Sequence, residues 1–282
     1  MKCPCNWLVH YIRAGISPVL TLVSNERIPF TPTMRMIFEI ADMKHASPAT
    51  VSRGGVVFIN ETDVGWKPFV DSWRETLSDQ VAQSQFYLLF SYYFESLMVQ
   101  HNIDMFRRTF KFVCPMTDIA FVDGICCFVD SLLNRDKAAA EAFKQKSVEE
   151  QKLTYEGFFL SALMWTVGGC VADDKAVNYR SQFSSWLRAA ARIKFPEGGL
   201  CFDYFFEEKT CQWVPWSSQL KPYEPVTEML FNKIIVSTTS IIRINYVNEL
   251  FCKRGRAVLL VGSCGSGKST IVKVLQVKNI WL

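Results

Sequence analysis

The sequence predicts an α/β fold with a helical region between two α/β parts. Three observations predict it. Compact β-rich runs separated by turn residues recur over the first seventy residues. Long apolar patterns at helical spacing then fill the stretch from about 73 to 152. Near the C-terminal end, an apolar strand runs into a glycine-rich loop and then an amphipathic helix. Strand-and-connection alternation is the pattern of an α/β layer, and the helical middle belongs to a separate packing unit.

The N-terminal elements come first. VLTLVSNERIPF (19–30) alternates apolar and polar residues around a Ser-Asn turn, which predicts a hairpin. MRMIFEI (34–40) suits a buried strand, and GVVFIN (55–60) suits another. Between them, Pro48 and a Ser/Thr cluster mark a loop or short helix. In the middle, RDKAAAEAFKQKSVEEQK (135–152) is a strong helix former with Lys137 and Glu141 one turn apart, a solvated face rather than a site. GFFLSALMWTVGGCVA (157–172) is apolar all round but shorter than the roughly 18–20 residues a spanning helix needs, so it predicts a helix buried in a core. In SQFSSWLRAAARIKF (181–195), Phe183, Trp186, Leu187 and Ala190 share one face while Arg188 and Arg192 point elsewhere. FPEGGLCFDYFFEEKTCQWVPW (195–216) predicts a turn and a β-hairpin near 200–214. A helix and then a strand at 257–261 follow. The boundaries drawn from these shifts are 1–18, 19–75, 76–220 and 221–282.

Composition narrows the classes. At 282 residues the chain can hold about two domains and a sizeable core. Net charge is +4, from 31 basic against 27 acidic residues, and no dense Lys/Arg run accompanies it, so nothing argues for a nucleic-acid partner. The ten cysteines form no CxxC pair and only three histidines are present, which speaks against zinc. They read as reduced, mostly buried small hydrophobes of an intracellular protein. His10 and Arg13 interrupt the N-terminal apolar run, so it makes a poor signal peptide, and no membrane association is expected.

The loop carries the chemistry. Gly262-Ser263-Cys264-Gly265-Ser266-Gly267-Lys268-Ser269 matches GxxxxGK[ST] in full, with Thr270 next. Glycines let the backbone take positive φ and bring its N–H groups up to phosphate oxygens. The helix that starts near Lys268, with apolar Ile271, Val272 and Leu275, aims its positive end at the same anion. Lys268 is placed for the β- and γ-phosphates, and the Ser269 hydroxyl for Mg²⁺. Such a site also needs an acidic residue on a later strand, and only fourteen residues follow Lys268 in the chain of 282. Asp123, in IAFVDG (119–124), follows an apolar run but lies upstream in a helical region, and is not the expected magnesium ligand. The motif therefore predicts binding of ATP or ADP with Mg²⁺, and negligible hydrolysis by these 282 residues alone.

Residues 19–73, with PATVSR at 48–53 and GWKPFVDSW at 65–73, closely resemble the second AAA+ module of dynein heavy chains. FFLSALMWTVGG, RSQFSSWL and the FDYFF/CQWVPW pair resemble the lid and linkage into the third module. STTSIIRINYVNEL with AVLLVGSCGSGKST resembles the opening of that third module. The wording around SNERIP and GWKP is similar to axonemal rather than cytoplasmic chains. Under this resemblance the P-loop falls near the chain end because the sequence holds the back of one module, its lid and the front of the next. Residues 1–18 depart from the pattern, as a truncated or misjoined gene model would. The resemblance implies a microtubule motor of the cilium or flagellum, an ATPase whose third module gates rather than powers the stroke. It implies microtubules, intermediate and light chains, and neighbouring AAA+ modules as partners, and a cytoplasmic, cytoskeletal, axonemal location. It makes Arg53 a candidate arginine finger for the preceding module, against the plainer reading of an Arg bridging its loop to a carboxylate. Ile235 and Val236 would pack the adenine ring. Two alternatives remain open here: an ABC-type ATPase, for which GSCGSGKST is equally typical, and a non-enzymatic scaffold with a degenerate ATP site.

Overall fold

The computed structural model describes residues 19–21, 24–29, 31, 33, 39, 43, 44, 46, 48–52, 55–59, 61–100, 110–114, 116–134, 143, 145–172, 177–220, 222 and 234–277. The chain divides into two compact units, 1–63 and 64–282.

In the first unit, β1 (Val19–Thr21) and β2 (Arg27–Pro29) pair antiparallel, Leu20 opposite Ile28. The turn between them holds Asn25 at φ 63°, a conformation that Asn tolerates better than most residues. This is the hairpin predicted at 19–30. α1 (Pro48–Val51) is one short turn of helix, as Pro48 allowed. The buried strand expected at 34–40 lies outside the described residues. The strand expected at 55–60 is corrected: 55–59 carry no strand, and Val57, Phe58 and Ile59 are 83%, 78% and 66% exposed. β-rich composition makes a strand only where a partner backbone accepts its hydrogen bonds, and no described segment pairs with this one.

α2 (Glu61–Val64) spans the division between the units. The second unit is helical around one core. α3 (Lys67–Glu75) carries Pro68 in its first turn and buries Val70 and Trp73. α4 (Gln80–Leu89) is capped by Asp79, whose carboxylate accepts from Val81 N–H at 3.0 Å, and it runs on into a wider π-helical stretch, Phe90–Gln100. α5 (Asp118–Leu133) is capped by Thr117, and α6 (Val148–Thr166) begins with a reciprocal Ser147–Glu150 capping box. That box corrects the single helix expected over 135–152: Ser147 is extended and starts a new helix, while the Lys137–Glu141 pair lies outside the described residues. α7 (Tyr179–Ala190) leads to the hairpin β3 (Tyr204–Glu207) and β4 (Gln212–Pro215), then come α8 (Thr239–Lys253) and α9 (Lys268–Val277).

From Thr154 onward α6 is the centre, because that part of the helix leaves no face to solvent, whereas its first residues, Val148–Leu153, are largely exposed. Phe159, Leu160, Ala162, Leu163 and Met164 are fully buried. Among the described residues no helix is long and apolar enough to cross a membrane. Aromatic rings fill the space around it: Phe159 meets Phe90 edge-on at 4.9 Å, and Phe86 lies 5.2 Å from Tyr155 and 5.3 Å from Trp73. Edge-on packing suits the ring quadrupole and adds to area burial. Gly157 is required where α6 meets β3, since a Cβ there would come 2.3 Å from the Phe206 ring. Buried hydroxyls find acceptors within their own helices, as Thr154 does on Glu150 O and Ser161 on Gly157 O, both at 2.8 Å. The buried Glu156 carboxylate accepts from Tyr93 O–H, which ties α6 to the π-helical stretch.

On α7, Phe183 and Leu187 are core, as their spacing predicted. Arg188 is more than a solvated charge. Its guanidinium donates to Pro196 O at 2.6 Å, Gly198 O at 2.7 Å and Gly199 O at 3.0 Å, fixing the turn in which both glycines have positive φ. The β3–β4 hairpin falls where it was predicted, with Trp213 stacked on Phe195 at 4.2 Å.

Burial sets the behaviour of the thiols. Cys201 is fully buried and burial pushes its thiol up to about 11. A thiol raised in the folded state adds stability that is complete below its unfolded value and is lost as pH rises through the folded one. Stability is therefore expected to fall between about pH 9 and 11, and Cys201→Ala to flatten that fall; melting temperatures across this range test it. At pH 8 an alkylating reagent is expected to label the exposed Cys114 and Cys264 well before buried Cys126, Cys127 and Cys201.

Candidate functional site

The loop 262–267 is exposed and joins an arm, residues 256–261, to α9. Gly265 and Gly267 stand at φ 77° and 84°, where a side chain would strain the backbone. A Cβ on Gly262 would come 2.9 Å from Ser266 Oγ and push that hydroxyl off its place in the loop. Ser266 pins that closure by donating to Ser263 O at 2.8 Å. Lys268 folds back over the loop: Nζ donates to Gly262 O at 2.8 Å, Ser263 O at 2.6 Å and Ser266 Oγ at 3.3 Å.

The backbone amides complete the geometry. The first bond of the α9 ladder runs from Ile271 N–H to Gly267 O at 3.0 Å. The N–H groups of Lys268, Ser269 and Thr270 thus precede any intrahelical acceptor and lie at the positive end of the helix. Ile271 and Leu275 are buried and Val272 half-buried, and α9 packs on α8, which holds that helix end in place. An ammonium, open amides and a helix terminus gathered on one turn fit a phosphate group. The Ser269 hydroxyl, exposed at the second position of α9, is an oxygen donor of the kind Mg²⁺ takes. Among the described residues no cluster of His, Cys, Asp or Glu could hold a metal by itself.

Other expected site residues are not brought to the loop. Arg53 and Gly54 lie outside the described residues. Ile235 and Val236 are 37% and 50% exposed on the run into α8, whose N-cap is Thr238. Asp123 is on α5, paired with Arg256 at 2.6 Å. The strand expected at 257–261 is corrected: it has no strand neighbour among the described residues, and Leu259 and Val261 are 85% and 84% exposed. The sequence reading missed Ser266 as the residue that both closes the loop and faces Lys268. It also missed the ion pairs of Arg254 and Arg256, to which no local pattern in the sequence points.

A glycine loop gripped by its own lysine at a helix N-terminus, following a helical unit centred on α6, defines a P-loop protein. Comparison with known proteins agrees on both parts. Residues 90–218 match the dynein heavy chain AAA lid domain, and residues 223–280 match the P-loop containing dynein motor region. The chain is 38% identical over 255 residues to the ciliary dynein beta chain of Tripneustes gratilla, covering 90% of this chain and 5% of that one. It is 37% identical over 255 residues to human dynein axonemal heavy chain 9, with the same 90% and 5% coverage. To the flagellar outer arm dynein beta chain of Chlamydomonas reinhardtii it is 36% identical over 263 residues, 93% of this chain and 6% of that one. The chain belongs to the dynein heavy-chain family, and it spans about a twentieth of the length of these axonemal relatives.

Proposed function

We propose that residues 262–270 bind the phosphates of ATP or ADP within an axonemal dynein heavy chain, a microtubule motor of cilia and flagella. The observation that supports this most is Lys268 turned onto the loop, its ammonium facing the carbonyls of Gly262 and Ser263. In this reading Lys268 neutralises β- and γ-phosphate charge, the amides of Gly265 and of Gly267 to Thr270 donate to phosphate oxygens, and Ser266, whose own N–H turns to Ser263 O, keeps the loop closed. Ser269 would ligate Mg²⁺, which would polarise the terminal phosphate when bound. The resemblance of 19–75, 76–220 and 221–282 to successive parts of such a motor supports a reading in which the nucleotide of the third module gates it. Microtubules, intermediate and light chains, and neighbouring AAA+ modules would be met by the whole heavy chain, in the axoneme.

Titration with ATP and Mg²⁺ tests the loop assignment. Amide resonances of Gly265, Gly267, Lys268 and Ser269 are expected to shift together and saturably; shifts confined to other residues would remove the assignment. Arg53, carried by the resemblance, is proposed as the finger that reaches the preceding module's nucleotide. Arg53→Lys in the full-length heavy chain is expected to slow ATP turnover while nucleotide retention stays the same, and unaltered turnover would discard that role.

A further inference from the structure

We propose that Asp123 and Asp130 on α5, gripping Arg256 and Arg254, are positioning residues for the phosphate loop. This rests on the reading of 262–270 as a nucleotide site and adds to it a mechanical anchor on the lid helix.

The anchor begins at the end of α8. Gly255 takes φ 68°, its N–H donates to Cys252 O at 2.9 Å, and Arg256 N–H donates to Phe251 O at 3.0 Å. This reversal is a Schellman stop, and only glycine adopts its turning conformation without strain. It leaves one arginine on each side of the stop, and both reach α5. Arg254 pairs with Asp130 Oδ2 at 2.8 Å and Arg256 with Asp123 Oδ1 at 2.6 Å. Asp123 and Asp130 are two helical turns apart and so share one face. Trp73 Nε1 occupies the other Asp130 oxygen at 3.0 Å, and Ser131 Oγ donates to Leu250 O at 2.9 Å, so the seam is closed beside the pairs as well. Phe69, Cys126 and Cys127 line the same cleft of about 290 Å³.

Beyond this seam the arm is weakly held among the described residues, with Val258 and Leu260 half-buried. Among the described residues no backbone hydrogen bond is made by 257–261, and its apolar side chains Leu259 and Val261 are in solvent. The loop is therefore located from its two ends: through α9 packed on α8, and through the two arginines where the arm departs. The pairs are half-exposed, Arg256 and Asp123 at 51% and 37% of their side-chain areas, so they add little to global stability. A change in where the arm starts moves the amides of the loop, and phosphate binding depends on their placement within a fraction of an ångström.

The experiment is alkylation of Cys264, the exposed thiol at the loop tip, in the full-length heavy chain with increasing Mg²⁺-ATP, read by mass spectrometry of that peptide. ATP is expected to protect Cys264, and Lys268→Ala to abolish protection. The double variant Asp123→Asn with Asp130→Asn is expected to raise the half-protecting ATP concentration about three- to tenfold, with an unaltered melting temperature. The exchanged pair Asp123→Arg with Arg256→Asp is expected to restore part of the affinity that Asp123→Arg alone loses. Wild-type protection in the double variant, beside its loss in Lys268→Ala, would overturn the anchor and leave the nucleotide site standing. An exchange that restores nothing would likewise reduce these residues to structural ones. Protection that survives Lys268→Ala would instead overturn the nucleotide reading, and the anchor with it.

Discussion

Lys268→Ala is expected to weaken ATP binding at the loop by about ten- to a hundredfold, the loss of one charge-assisted hydrogen-bonding group worth about 1.5–3 kcal/mol. The argument is local. Nζ lies 2.6–2.8 Å from two loop carbonyls and is held against the turn that the amides surround, so no other side chain on the loop supplies a cation. Those carbonyls are solvent-exposed and can be hydrated once the lysine is gone, so the fold loses little. Calorimetric titration with Mg²⁺-ATP beside a thermal melt separates the two effects. Equal affinity in the variant would mean that the loop does not hold the nucleotide, whatever its sequence.

Phe159→Ala is expected to remove about 3–5 kcal/mol from the stability of the second unit, the range for emptying a large aromatic site in a core. Phe159 has no exposure to solvent and meets both Phe90 and Tyr93 from the middle of α6. Neighbouring rings can collapse only partly into the space, because Phe90 is also held against Trp66, Trp73 and Phe94. Urea denaturation gives the size of the loss, and a cost under about 1 kcal/mol would show that the lid core is loosely packed. Nucleotide affinity is expected to fall only as far as the unfolded fraction grows, which distinguishes this substitution from Lys268→Ala.

Local patterns were readable wherever the forces that shape them are local. The turn at Asn25, the face of α7 and the β3–β4 hairpin follow from side-chain period and turn chemistry, and each lies where the sequence places it. The turn of the loop was legible because the motif's glycines at 265 and 267 mark positive φ, and the structure has both there. Strands at 55–60 and 257–261 were read from β-branched composition, yet a strand is a property of two segments, and composition names only one. The break at Ser147 was hidden by the helix propensity around it, although the Ser147–Glu150 box was present in the sequence. What could not be read at all is pairing between distant charges. Asp123 and Arg256 are 133 residues apart, and nothing in either segment points to the other.

The bare arm before the loop has a consequence for handling the molecule. Leu259 and Val261 sit on a backbone run whose amides have no partner among the described residues. An exposed apolar run of this kind can pair with a strand of a second molecule, and the exposed apolar residues 56–59 offer another. Leu259→Lys is therefore expected to raise the solubility of material made of these residues, by placing a charge on that exposed run.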